Sequence, residues 1–179
     1  NSEWLTRLGE NALRPDIGLV GGLLLYENGT IQHAGVVVGM GGWADHVFKK
    51  IEPIHFGSPF ISPMVTRNVS AVTGACLAIS KTKFEELKGF NEKFIICGSD
   101  VDLSLKALKR GYFNLYNPYV NLYHIESKTR TSYIPDIDFK LSHDSYSEFI
   151  ENGDPYYNIN LSLKSLNPKI QTENELKKC

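Results

Sequence analysis

The sequence predicts an α/β domain, with a mixed sheet and flanking helices. Three observations carry this expectation. Apolar runs of strand type alternate along the chain with segments of helical spacing. One stretch, residues 100–110, reads as a well-bounded helix between Gly98 and Gly111. The 179 residues are 42% hydrophobic and 22% charged, one domain's worth of chain, and a chain of this size buries about 70% of its unfolded surface.

In order, residues 3–13 place Trp4, Leu5, Leu8 and Leu13 near helical spacing, and Pro15 closes the segment. Residues 17–26 form a buried-strand run. Glu27-Asn28-Gly29 reads as a turn, and residues 31–38 as the returning strand. Residues 39–66 are rich in Gly and Pro, with scattered aromatics, and read as a long functional loop. Residues 71–79 suggest a strand interrupted at Thr73-Gly74. Thr82 and Glu85 suggest a capping box for a short helix ended by Gly89. Residues 94–97 are a short apolar run. The helix at 100–110 has Val101, Leu105 and Leu108 as its stripe, with Ser99 as the expected N-cap and Lys109-Arg110 at its negative end. Two short strands are expected at 112–116 and 120–123, around Asn117-Pro118, and a helix at 139–151. The polar stretch 169–179 is expected to fray.

Composition excludes several functions. Nineteen basic residues against twenty acidic ones, net −1, give no electrostatic footprint for nucleic acid. No apolar run approaches the roughly 20 residues of a membrane span. Cys76, Cys97 and Cys179 are odd in number and widely spaced, so they build neither a disulfide framework nor a zinc knuckle, and they point to a reducing compartment. The chain opens Asn1-Ser2-Glu3-Trp4, without Met, which suggests a piece of a longer parent.

Two segments could carry chemistry. Asp100 and Asp102 follow Gly98-Ser99. Both carboxylates suit a helix N-terminus, and that alone would explain them. The alternative is a general base aimed from the helix end into a cleft. Residues two apart on a helix point about 200° apart, so the two cannot share one ion. A similar pair, Asp136 and Asp138, sits beside Pro135 and is expected to be solvated. The second segment, residues 123–130, joins His124 and Glu126 to Lys128 and Arg130, which is either a solvated loop or a set suited to a divalent ion and a phosphate. His33, His46, His55 and His143 show no ligand spacing. His46 stands out only through its neighbours Trp43 and Asp45.

Five stretches in consistent order resemble family 2 glycosyltransferases of the GT-A fold, most nearly those of bacterial O-antigen and rhamnan-type polysaccharides. They are residues 22–35 (GLLLYENGTIQHAG), 67–79 (RNVSAVTGACLAI), 100–112 (DVDLSLKALKRGY), 116–127 (YNPYVNLYHIES) and 154–163 (DPYYNINLSL). The resemblance implies that Asp100 is the catalytic base of an inverting transfer. Ser99 stands where many members carry a Glu, so a helper carboxylate is missing. The resemblance further implies that His124 completes a metal shell and that Lys128 and Arg130 lie near the donor diphosphate. Thr73, Gly74, Ala75 and Cys76 would line the acceptor side, joined by Trp43 and His46 from the long loop. The implied cofactor is Mn²⁺ or Mg²⁺ in the full-length enzyme, with none bound tightly by this chain alone. The implied partners are a nucleotide-sugar donor and a glycan acceptor, at a cytoplasmic site near the inner face of a membrane.

The family's donor half would precede residue 1. The expected organisation is therefore a partial GT-A domain: an acceptor and catalytic-base half over 1–163 and a polar tail over 164–179, inactive alone. The run 17–26 needs neighbouring strands on both sides, so the chain is expected to expose the face that the missing half would cover and to self-associate through it. The competing reading is a non-catalytic carbohydrate-binding or assembly module, with sugar contacts from Trp43, Phe48, Tyr112 and Tyr123.

Overall fold

Nine consecutive buried residues, Ile17–Leu25, make the central strand. The computed structural model describes residues 2–54, 60–125 and 133–176. In chain order the elements are α1 (Trp4–Ala12), β1 (Ile17–Leu25), β2 (Ile31–His33), β3 (Val36–Val38), β4 (Ala44–His46), β5 (Arg67–Val69), β6 (Leu77–Ile79), α2 (Lys81–Glu86), α3 (Ser99–Lys109), β7 (Phe113–Tyr123), α4 (Asp136–Asn152) and α5 (Glu173–Leu176). The result is a mixed α/β fold, a mixed sheet with flanking helices.

β7 runs parallel to β1 from Ile17↔Phe113 to Leu25↔Tyr123. β6 pairs antiparallel with β1 at Leu19–Gly21, and β2 at Leu24 and Leu25. β5 closes the far side of β7. β1 is thus paired along both edges and covered on both faces, which is why its sequence is continuously apolar rather than alternating. The neighbours that residues 17–26 need are supplied within the chain, so the expected exposed edge at β1 does not exist. Close packing on β1 relies on glycine. A Cβ on Gly18 would lie 2.8 Å from Ala107 Cβ, and one on Gly22 would lie 2.4 Å from Val120 Cγ1.

One face of β1 joins the main core, with Leu19, Leu23, Phe48, Val72, Leu103 and Tyr116. The other packs Ile17 and Val20 with Leu8 and Ala12 of α1 and Leu115 and Val120 of β7. A third cluster, with Val36, Val38, Ala71, Val101, Leu105 and Tyr146, joins the small β3–β4 sheet to α3 and α4. Asn114 ties the layers at their centre. Its Oδ1 accepts from Leu19 N–H at 3.2 Å, and its Nδ2 donates to the carbonyls of Ser70 and Ser104.

Several expected elements differ. The returning strand 31–38 is two strands, because Gly35 takes a left-handed φ of +99° and sends β3 to pair with β4. The strand expected over 71–79 begins only at Leu77, since Thr73–Cys76 form a turn closed by Cys76 N–H on the Thr73 carbonyl. Conversely, the two strands around Pro118 are one, β7. Proline has no N–H to give, and the register skips there from Gly22↔Asn117 to Leu23↔Asn121. Ser80, not Thr82, caps α2, its Oγ accepting from Lys83 N–H. On α1 the inward residues are Leu8 and Ala12, while Trp4, Leu5 and Leu13 are exposed. The stretch expected to fray is docked through residue 176. Leu161 bridges Ile170, and Glu175 accepts from Ser162 Oγ and Thr172 N–H.

Candidate active site

A cleft of about 740 Å³ opens where the turn after β5, the start of α3, the β3–β4 sheet and the end of β7 meet. Trp43, His46, Thr73, Gly74, Ala75, Asp100 and His124 all line it. These seven come from four separate stretches of sequence. Lys128 and Arg130 lie outside the described residues, as does His55. Cys76 does not reach the cleft. The turn at Thr73 reverses the chain beneath α1, where Cys76 packs against the cluster of Leu8 and Ile17 and burial pushes its thiol up.

Asp100 sits in the first turn of α3, half-buried. Its Oδ2 accepts from Gly74 N–H at 2.7 Å and its Oδ1 from Val101 N–H at 2.9 Å. Each oxygen keeps lone-pair capacity for a ligand hydroxyl. The N-cap of α3 is Gly98 rather than Ser99. Its φ of +103° suits glycine, and a Cβ there would strike Phe94 at 2.6 Å. Asp102 points elsewhere, as the helical angle requires. It is buried against α4, 2.8 Å from Lys106 Nζ, and accepts from Ser145 Oγ at 2.7 Å.

The wall before Asp100 is held by a carboxylate that the sequence reading left to solvent. Asp138 is 1% exposed and accepts from the backbone N–H groups of Ile95, Ile96 and Cys97 at 2.7, 2.8 and 3.1 Å. Burial pushes its carboxyl up, but the three N–H bonds outweigh that and hold it below the usual carboxylate range. Residues 94–97, expected as an apolar run, are therefore a loop clamped onto α4. Ile96 and Cys97 line the cleft from that loop. Its apolar character hid the clamp, and only Asp138, two residues into the first turn of a helix, could have hinted at it.

Two histidines of the cleft are tied to β2. His124 Nδ1 lies 2.7 Å from Gln32 Oε1, and His46 Nδ1 lies 2.8 Å from His33 Nδ1. His33 is fully buried. Burial, with His46 and Arg67 nearby, holds its imidazole well below the ordinary histidine value. Arg67 lies over the rings of Tyr116 and Phe48 and donates to the Ala34 carbonyl. Burial pushes its guanidinium down to about 10. Trp43 makes edge contacts with Phe139 and Tyr146.

The aromatic set expected of a binding module is dispersed. Phe48 is core, Tyr112 donates to Glu86, and Trp43 alone of the four lines the cleft. Among the described residues, no group of three or more His, Cys, Asp or Glu side chains stands together as a metal site. No helix there is long and apolar enough to cross a membrane.

The class these features define is a mixed α/β domain with a carboxylate and two histidines lining one cleft. The chain is similar to the O-antigen biosynthesis protein RfbC of Myxococcus xanthus, 43% identical over 162 residues, which is 89% of this chain and 13% of that protein. It is also similar to the uncharacterized protein y4gI of Sinorhizobium fredii, 37% identical over 172 residues, 90% of this chain and 18% of that protein. The chain thus spans less than a fifth of either relative. No family model matches it.

Proposed function

We propose that this chain is the acceptor and catalytic-base half of an inverting GT-A glycosyltransferase of family 2, acting in cell-surface polysaccharide synthesis. The carrying observation is the seating of Asp100. Two backbone N–H groups fix its carboxylate at the mouth of a helix, facing a cleft that other parts of the domain also line. The O-antigen biosynthesis name of the Myxococcus relative supports a polysaccharide role.

In this reading a glycan hydroxyl enters beside Asp100, which takes its proton as the oxygen attacks the anomeric carbon of the donor sugar. The nucleotide diphosphate leaves from the opposite face, inverting the centre. Lys128 and Arg130 are proposed to meet the diphosphate. The divalent metal implied by the family resemblance would neutralise that leaving group. His124 could give it one ligand, and the remaining ligands would come from beyond the described residues. The donor-binding half is proposed to lie elsewhere in a longer polypeptide, so the 179-residue chain alone would transfer no sugar.

The test is sugar transfer from a panel of nucleotide sugars to polysaccharide acceptors by the full-length protein. Asp100→Asn should abolish turnover while leaving donor binding intact. Wild-type turnover in that variant would refute the assignment, and no transfer by the wild-type protein across a broad panel would favour a binding module.

A further inference from the structure

Two lysines adjacent in sequence serve two different cavities. Lys49 lines the cleft that holds Asp100. Lys50 lines a second cavity of about 580 Å³, together with Glu27, Asn28 and Thr30 of the β1–β2 turn. The two cavities share Tyr26, His124 and Ile125, so they adjoin along one wall. Among the described residues, Lys49 and Lys50 are the only Lys or Arg side chains that line either cavity.

The backbone sets this placement. Phe48 and Lys50 take left-handed φ values of +65° and +68°, which residues with a side chain rarely adopt. Hydrogen bonds hold the turn in that shape. Phe48 N–H donates to the Leu166 carbonyl at 2.6 Å, Lys50 N–H to the Ile31 carbonyl at 2.7 Å, and Ile31 N–H to the Ile51 carbonyl at 2.8 Å. Phe48 itself is fully buried in the main core. Strain of this kind persists only where the surroundings over-determine it, and it gathers at ligand sites. Nor does the fold consume the two ammonium groups. Lys49 Nζ lies 3.4 Å from Asp45 Oδ1, a partly exposed pair that occupies one of its three donors. Lys50 is exposed, and among the described residues it forms no ion pair.

We propose that Lys49 and Lys50 form a binding site for a diphosphate group seated along the wall that the two cavities share. A diphosphate spreads its charge over two phosphoryl groups, so it can take one ammonium from each cavity. Lysine serves phosphate as a point charge on a flexible stem, and needs no planar fork to do so. The diphosphate can belong to the nucleotide-sugar donor or to a phosphate-bearing acceptor. That its carrier reacts at Asp100 rests on the transferase reading above. The anion site rests on the lysines and the two cavities alone.

The experiment is calorimetric titration of sodium pyrophosphate into the 179-residue chain, without metal, in about 0.1 M salt, where distant surface charges are screened. One saturable site is expected, with inorganic phosphate binding more weakly. Lys49→Gln and Lys50→Gln should each weaken pyrophosphate binding about fivefold, the contribution of a partly exposed charge pair. Lys49→Arg and Lys50→Arg should keep it, and so should Lys169→Gln, which removes an exposed charge that lines neither cavity. Uridine diphosphate and isopentenyl diphosphate then compete against pyrophosphate. Tighter binding of the first assigns the site to the donor, and tighter binding of the second assigns it to the acceptor. No saturable binding, full affinity in both Lys→Gln variants, an equal loss in Lys169→Gln, or failure of both diphosphates to compete would overturn the proposal. None of these readouts involves sugar transfer, so the failure of this site and the failure of the transferase reading are separate results.

Discussion

The backbone N–H of Gly74 donates to Asp100 Oδ2 at 2.7 Å, across 26 residues of sequence. The bond aims the carboxylate, and a side chain at position 74 would crowd it. A Cβ at position 74 would lie 3.3 Å from Asp100 Cβ, tighter than ordinary packing. Gly74→Ala is therefore expected to push Asp100 by a few tenths of an ångström. A 1 Å misplacement can cost about 10²-fold in rate, so a loss of about tenfold in kcat is expected, with little change in melting temperature. Steady-state kinetics of the full-length protein, read beside a thermal melt of the chain, checks both halves.

Asp138 should matter more for stability than an exposed helix-start residue would. Removing its carboxylate takes away the acceptor that the N–H groups of Ile95, Ile96 and Cys97 share. Asp138→Ala is expected to cost about 2–4 kcal/mol, since bonds to a charged acceptor are each worth about 1.5–3 kcal/mol and are not additive. The sign with pH follows from the depressed carboxyl. Its contribution is complete above the unfolded value near 3.8 and is lost as pH falls through the folded one. Urea unfolding at pH 7 should show the full loss in the variant. Amide exchange should show it first at residues 95–97.

His33 gives a second pH dependence, at a milder pH. Burial disfavours its charged form in the fold, while in the unfolded chain it gains a proton below about 6.5. The stabilisation is therefore complete above pH 6.5 and falls as the solution is acidified. A group that stays neutral when folded should cost about 1.4 kcal/mol between pH 7.5 and pH 5.5. His33→Phe should flatten that part of the curve whatever it does to absolute stability. An unchanged slope would mean that His33 is protonated in the native state.

What the sequence disclosed divides along physical lines. β1, α3 and α4 were legible because their apolar pattern or their end residues are local properties. So was Asp100, since a carboxylate following Gly at a helix start stands out. The cleft's membership was legible only through resemblance, because Thr73, Trp43 and His124 meet through the parallel pairing of β1 with β7, which no local pattern encodes. The roles of Asp138, Gln32 and His33 were not legible at all. Each is a polar residue whose meaning is a partner 13 to 92 positions away. The misplaced strand ends have local causes that an apolar pattern does not carry: φ > 0 at Gly35 breaks a continuous run, and a register skip at Pro118 lets one strand pass a residue with no N–H to give.

Asp100 and Asp102 should fail differently when mutated. In Asp100→Asn the side chain keeps one acceptor oxygen for two backbone donors, Gly74 N–H and Val101 N–H, so one of them faces an amide NH₂. A stability loss of about 1 kcal/mol is expected from that mismatch. Turnover should fall by about 10²–10⁴-fold, because the amide cannot take the acceptor's proton. In Asp102→Asn the Ser145 bond can survive, but Lys106 loses its counter-charge at the α3–α4 contact. Lys106 is partly exposed, so water offsets much of that loss, and about 1 kcal/mol is expected here too. The two variants should thus melt at similar temperatures yet differ at least tenfold in kcat, the deficit belonging to Asp100→Asn. Equal activity losses in two folded variants would show that position around the helix does not separate their roles. A greater loss in Asp102→Asn would move the base to the α4 side of α3.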